Sequence, residues 1–496
     1  MFSILKNLAK HSILYGLSDI LSRAIGFVLI PLYTHYLTPS DYGTLELLDL
    51  TSYIIGLFLA MGIAQSVVRF YYEFESKEKR HQVISVALIS LWIVSAIVLA
   101  ILFFNSRFIS NLVFKSGDYY HMFNIIFITM VVGLSNEIPL TVLRIEEKSG
   151  LYVIISISKL TISLTLNILL IVKFHMGIMG ILYSNLVTSI IMGSLITIFT
   201  LKYVKLTYSF SLLRSMLSYG IPLMWSWFGM FVLNFGDRFL LQRLTSLGDV
   251  GIYSLAYKFG MLPNVLVLSP FLMIWAPKRF DLLKEPNAKD IYSKVFTYFL
   301  FIEIFVGLGI AVLIKEIVHI MADAQFSDAY KYVPAILLAY IANGVYLYVQ
   351  FGVHLEKKTK YLAYATLIGA ALNVGGNLLL IPRIGVWGAA LTTFISFGFL
   401  MAYIYFPSQR LYRIDYEKRR ILQMVLTAAA IYIITVFIPV ESLFISLAIK
   451  VVILLTFPFI LYFMKFYSDE ELSRIKSGIQ LIRGFSLSKL VTKKEV

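Results

Sequence analysis

Asp19 and Arg23 stand four residues apart inside the apolar run GLSDILSRAIGFVLIP, residues 16–31. On a helix that spacing puts the carboxylate and the guanidinium on one face. Near the middle of a membrane-spanning helix a charge costs about 2.5–3.5 kcal/mol on insertion scales, so it persists where it has a partner or faces a water-filled cavity. Two kinds of chemistry fit the pair. In one, the guanidinium grips an anionic ligand while the carboxylate takes up a proton or cation. In the other, the two charges form an ion pair that locks helices together. Asp237 and Arg238, in LNFGDRFLLQRL, pose the same choice, although adjacent side chains on a helix diverge by about 100°.

Other embedded charges widen the set. By helix rise, Arg23, Lys159 and Lys258 lie about 16, 14 and 12 Å into their spans, near mid-membrane, while Arg238 lies nearer the outer end. Arg23, Lys159, Lys258 and Arg238 are the candidates for holding an anion in a wet cavity. Asp19, Asp49, Asp237 and Glu303 are the candidates for ion or proton coupling, or for pairing. Six embedded acids, these four with Glu46 and Glu137, face five embedded cations, of which Lys450 is the fifth, so counting does not establish a positive cavity. Interfacial solvation accounts for Glu46, Asp49 and Glu137, whereas Glu303 is expected to pair with a nearby cation and Lys450 to snorkel outward. The seven histidines form no HExxH pattern, and the chain has no cysteine. Disulfides, thiol nucleophiles and cysteine-ligated metals are therefore excluded, and neither metal nor cofactor is expected.

The elements that position these residues follow from hydropathy. A chain of 496 residues, 59% hydrophobic and 14% charged, with a mean hydropathy of +0.81, is a polytopic membrane protein. Stretches of about 20 apolar residues recur fourteen times, from 12–34 to 442–464. With the N-terminus inside, 31 of the 43 Lys and Arg fall in cytoplasmic segments and 7 outside, which places both termini in the cytoplasm. Topology and anionic lipid headgroups account for the net charge of +15, so no nucleic-acid partner is expected. The start of the chain reads as an uncleaved signal-anchor. No connection is long enough to house an enzyme site.

The sequence also repeats. TPSDYGTLELL at 38–48 answers TSLGDVGIYSL at 245–255, matching Asp41 and Gly43 to Asp249 and Gly251. RIEEKS at 144–149 answers HLEKKT at 354–359, and NILLIVKFHMGIMG at 167–180 answers NLLLIPRIGVWG at 377–388. Three matches in one order and near one offset indicate duplication. The expected organisation is an all-α membrane protein with two pseudo-symmetric six-helix lobes, 1–205 and 206–410. Two further spans follow at 411–467, then a basic amphipathic tail at 468–496 that lies on the inner leaflet. Parallel six-helix bundles suit alternating access, with Pro31, Pro222, Pro263 and Pro270 as candidate kinks. Trp225 and Trp227 are candidates for stacking on sugar rings.

The runs LSRAIGFVLIPLYTHYLTPSDYGTLEL and GDRFLLQRLTSLGDVGIYSLAYK, with the paired glycine segments, resemble Wzx-type polysaccharide-biosynthesis flippases of the multidrug/oligosaccharidyl-lipid/polysaccharide exporter superfamily. The resemblance implies a bacterial inner-membrane flippase moving an oligosaccharide (O-antigen, capsule or other exopolysaccharide unit) on a polyprenyl pyrophosphate carrier. It also implies membrane lipids, a coupling ion (H+ or Na+) and glycan polymerase or assembly proteins as partners. A cation-coupled multidrug antiporter of the same superfamily shares the architecture and would use Asp19 or Glu303 as its ion site. A membrane polymerase or glycosyltransferase would want a long periplasmic loop carrying its catalytic groups, and the chain has none.

Overall fold

The computed structural model describes residues 26–202, 204–438, 442–473 and 477. The described residues are helical, with no strand among them. The helices are α1 (26–36), α2 (Pro39–Ala60), α3 (Ile63–Glu73), α4 (Lys77–Phe104), α5 (Ser106–Phe114), α6 (Tyr120–Ile145), α7 (Ser149–Ile168), α8 (Gly177–Leu201) and α9 (Phe210–Leu244). They continue with α10 (Leu247–Gly260), α11 (Ser269–Asp281), α12 (Ala288–Met321), α13 (Ala329–Val349), α14 (Phe351–Leu355), α15 (Lys360–Ile384), α16 (Val386–Leu411), α17 (Lys418–Val436) and α18 (Leu443–Phe463).

Among the described residues 13 helical stretches are long and apolar enough to cross a membrane, so the chain is a multi-pass membrane protein. Each overlaps one expected span, from the second to the fourteenth. The first expected span, 12–34, is described only from residue 26. The helices overrun the hydropathy windows, because backbone hydrogen bonding continues past the hydrocarbon edge. Thus α12 runs 34 residues, about 51 Å at 1.5 Å per residue, against roughly 30 Å of hydrocarbon.

The repeated segments adopt matching conformations. Thr38 caps α2 by accepting from the Asp41 amide, and Ser246 caps α10 by accepting from the Asp249 amide. Glu147 and Lys357, equivalent residues of the second repeat, both take a left-handed φ of 54°. Gly177 and Gly385 do the same at 53° and 59°, which explains glycine at both. Asn167 and Asn377 are both buried, and each side-chain amide donates to a carbonyl four residues back, Ser163 and Asn373.

The chain divides into two compact units: residues 1–266 with 317–412, and residues 267–316 with 413–496. The first division falls inside a π-helical turn, Asn264–Leu268, between Pro263 and Pro270. Proline lacks the amide needed to continue an α-helix, which accounts for the break after α10. Pro31 and Pro222, by contrast, sit within unbroken helices. In the first unit an apolar core of Ile63, Val67, Val83, Ile84, Leu88, Ile138 and Met216 joins α3, α4, α6 and α9.

In the second unit Lys450 does not snorkel. It is buried and donates to Glu316 at 2.6 Å, with Ser446 donating to the same oxygen at 2.5 Å. The hydropathy window had ended before Glu316, which belongs to the extended α12. Glu303, also on α12, is fully buried, and among the described residues neither carboxylate oxygen has a hydrogen-bond partner and the expected pairing with a cation is not formed. At the start of the tail Ser468 and Glu471 form a capping box: the Ser468 amide donates to the Glu471 carboxylate and the Glu471 amide to the Ser468 hydroxyl. The amphipathic tail expected at 468–496 is described only over 468–473 and at 477.

Candidate functional site

In the first unit α2 and α10 meet backbone to backbone. A Cβ on Gly43 would lie 2.1 Å from the Leu247 carbonyl oxygen, and one on Gly251 would lie 2.0 Å from that of Pro39. Only glycine permits this approach, and the two glycines occupy matching places in the repeat. A polar cluster is built on the same two helices.

Lys258 of α10 is half-buried, and its Nζ donates to the Tyr42 hydroxyl at 2.6 Å and sits 4.8 Å from that ring's centroid. Glu46 and Asp49, three residues apart on α2, both act electrostatically on Lys258. The Asp49 side chain is exposed and Glu46 half-buried. Tyr33 of α1 is held against Asn167 of α7 by a 3.1 Å hydrogen bond, and it feels both Asp49 and Tyr42. A lysine, two carboxylates and two phenols therefore share one locality.

Arg238 and Asp237 of α9 lie alongside. Both are fully buried and paired at 2.6 Å. Their adjacent positions do not prevent contact, because the long arginine folds back along its own helix. Its Nη1 also donates to the Asn234 carbonyl, one turn earlier. The guanidinium lies 3.7 Å from the Tyr257 ring centroid and 5.0 Å from that of Tyr253. The other Asp237 oxygen accepts from Tyr253 at 2.6 Å and from Thr393 of α16 at 3.2 Å, while Tyr340 of α13 donates to the Asn234 side chain at 3.2 Å. Tyr257, against the Arg238 guanidinium, immediately precedes Lys258 on α10, and Glu46 acts electrostatically on both cations.

Of the residues expected from sequence, the structure thus brings together Lys258, Asp49, Asp237 and Arg238. Lys159 stands exposed on α7 and makes no hydrogen bond or ion pair with a described residue. Glu303 belongs to the second unit. Asp19 and Arg23 lie outside the described residues. Trp225 is 57% exposed and edge-on to Phe58. Sequence reasoning missed Tyr42, Tyr253, Tyr257 and Tyr340, since a tyrosine in an apolar helix carries no sign of its partner. The signal within reach was the spacing of Tyr253, Tyr257 and Lys258 on one short helix.

What the arrangement can do follows from its charges. Two basic side chains, Lys258 and Arg238, stand with three acidic ones, Asp237, Glu46 and Asp49, so the cluster has one more acid than base. Carboxylates beside a lysine within a membrane span are the kind of group that needs a partner, water or a bound cation.

The fold is one shared by membrane flippases and transporters. The chain is similar to the lipid II flippase MurJ in an inward closed conformation, with 18% identity, a TM-score of 0.73, and 92% of this chain and 100% of that one covered. It is similar also to an inward-facing multidrug resistance MATE family transporter, with 14% identity, a TM-score of 0.63 and coverage of 80% and 93%. A Vibrio cholerae MATE transporter, VcmN, matches at 14% identity and a TM-score of 0.57, covering 83% of this chain and 98% of that one. Residues 8–278 match the polysaccharide biosynthesis protein family, and the chain belongs to that family. Among curated proteins it is 28% identical over 214 residues to the uncharacterized membrane protein MJ1068 of Methanocaldococcus jannaschii, the match spanning 40% of each chain.

Proposed function

We propose that this protein is a flippase that carries a polyprenyl-pyrophosphate-linked oligosaccharide across a bacterial inner membrane by alternating access, with both termini cytoplasmic. The observation that carries the reading is membership of the polysaccharide biosynthesis family in a chain whose fold matches a lipid II flippase over nearly its whole length. The two six-helix lobes expected at 1–205 and 206–410 supply the rocking bodies, and the Gly43–Gly251 contact supplies a seam along which they part. Arg23, Lys159 and Lys258 are the proposed contacts for the anionic headgroup. Arg238, already enclosed by Asp237 and aromatic rings, acts in this scheme by holding α9 to α10, α13 and α16. Asp49, with Glu46, is the proposed coupling-ion site, and Asp19 and Glu303 are the alternatives.

The acidic excess of the cluster favours a second reading, cation-coupled drug export, in which Asp49 exchanges its ion against a cationic drug. Complementation separates the two. In a strain lacking its own flippase for the same glycan, the chain should restore surface glycan, and Lys258→Ala should abolish that rescue at unchanged protein level. Rescue of drug resistance with no effect on glycan would reverse the assignment.

A further inference from the structure

A second glycine seam lies at the other end of the same helical span, where α3 meets α9. A Cβ on Gly62 would lie 2.5 Å from the Gly220 carbonyl oxygen, and one on Gly220 would lie 2.3 Å from that of Met61. One turn along α3, the buried Ser66 hydroxyl donates to the Met216 carbonyl at 2.7 Å. These contacts shut the two helices against each other. Just beyond the seam, Arg69, Phe70, Arg214, Ser215, Ser218 and Tyr219 line an open cleft of about 440 Å³.

Among the described residues that line the cleft two are arginines and none is acidic. Neither Arg69 nor Arg214 makes a hydrogen bond or an ion pair with a described residue. The buried Arg238 and the half-buried Arg420, by contrast, are ion-paired. The Arg69 guanidinium lies 4.5 Å from the Tyr219 ring centroid and 5.7 Å from that of Phe70, contacts that orient it while leaving its hydrogen-bond donors unused. Ser215 and Ser218, one turn apart beyond Arg214, are exposed and add hydroxyls. Guanidinium forks match phosphoryl oxygens bidentately, and ligand clefts commonly measure about 300–1,000 Å³. The charge bias of the connections puts this end of α3 and α9 on the cytoplasmic side.

We propose that Arg69 and Arg214, with Ser215 and Ser218, form a docking site for a diphosphate group at the cytoplasmic mouth, directly outside the Gly62–Gly220 seam. The identity of the natural occupant, the headgroup of the lipid-linked glycan, rests on the flippase reading. The same chemistry would accept free inorganic pyrophosphate. A headgroup held here waits outside a closed seam, and parting α3 from α9 admits it to the polar cluster that α2, the preceding helix, shares with α10.

Binding of polyprenyl pyrophosphate to the full chain in neutral phosphatidylcholine nanodiscs tests the site. Inorganic pyrophosphate and phosphatidylglycerol serve as competitors, and Lys331→Ala as the control. Wild type should bind, and inorganic pyrophosphate should compete. R69A/R214A should weaken binding on the order of tenfold to a thousandfold, since each arginine supplies charge-assisted hydrogen bonds. R69K/R214K should fall between the two and serves if the alanine variant fails to fold, because it keeps the charge and loses only the fork. Unchanged affinity in these variants, or competition by phosphatidylglycerol but not by pyrophosphate, overturns the proposal. Transport assays separate this failure from that of the flippase reading: binding without flipping removes the flippase and keeps the site, while flipping that survives loss of binding removes only the site.

Discussion

Replacing Gly43 by alanine adds one methyl group where two helix backbones touch. The new Cβ would sit 2.1 Å from the Leu247 carbonyl oxygen, and reaching the 3.4 Å of ordinary van der Waals contact requires the backbones to part by about 1.3 Å. A carbonyl belonging to the first turn of α10 cannot swing aside as a side chain would. Overpacking of this kind costs about 1–3 kcal/mol, offset by the roughly 0.5–1 kcal/mol that alanine gains over glycine inside a helix. At the upper end about 2 kcal/mol of net loss remains, a factor of about 30 in the folding equilibrium. Gly133, in α6, supplies the control, because nothing lies within 4 Å of a Cβ there. Gly133→Ala should raise the thermal midpoint of the detergent-purified chain, Gly43→Ala should lower it, and Gly251→Ala should lower it similarly. Because the strain is confined to the α2–α10 contact, Gly43→Ala should also increase labelling of Asp49→Cys by a water-soluble thiol reagent in this cysteine-free chain. A Gly43→Ala variant as stable as Gly133→Ala, with unchanged labelling, would refute the claim that these glycines set the helix approach.

Arg238→Leu should cost about 3–5 kcal/mol, because it strands the buried Asp237 carboxylate, whereas the double change Asp237→Leu with Arg238→Leu should be much milder; thermal midpoints of the three proteins decide, and equal losses would show the pair is no unit. Glu303→Leu should stabilise the second unit by about 1–3 kcal/mol, since it removes a buried carboxyl with no partner for either oxygen, and a marked loss of stability would point instead to an ion held there. At the start of the tail, burial pushes the Glu471 carboxyl up, but hydrogen bonds from Tyr298, the Ser468 amide and Arg420 outweigh it and hold the group below its ordinary 4.5. The bridge to Arg420 is therefore intact above pH 4.5 and lost as pH falls through the lowered value, so amide exchange over 468–473 should speed up in acid. Glu471→Gln should show fast exchange already at neutral pH, and pH-independent protection in the wild type would count against the bridge.

Much of this architecture was legible in the sequence for a simple reason. Hydrocarbon demands long apolar stretches, and thirteen of the fourteen expected spans answer to helices among the described residues. The duplication was legible because the repeat preserved residues with local jobs: Asp41 and Asp249, the first-turn partners of the helix caps, left-handed turns at Gly177 and Gly385, buried amides at Asn167 and Asn377. Partnerships across the chain were not. Lys258 finds Tyr42 at a separation of 216 residues, and no periodicity encodes that. Lys450 looked solitary because Glu316 fell outside the hydropathy window of its own helix. Arg69 and Arg214 read as topological signals at span ends, and only the folding of α3 against α9 turns them into one cleft. Asp19 and Arg23, with which the sequence posed its question, lie outside the described residues.

The central claim is that the cargo is a lipid-linked glycan, and its most direct test is transport by the purified chain in proteoliposomes. A polyprenyl-pyrophosphate oligosaccharide bearing a fluorophore on its sugar is loaded in both leaflets, and a membrane-impermeant reductant quenches whatever reaches the outside. Quenching should proceed past the outer-leaflet half to near completion with wild-type protein, and should stop near half in empty vesicles and with Lys258→Ala. Quenching that halts at half with folded wild-type protein, in vesicles where an imposed proton or sodium gradient drives uptake of a cationic dye, would contradict the account and make the chain a cation-coupled exporter.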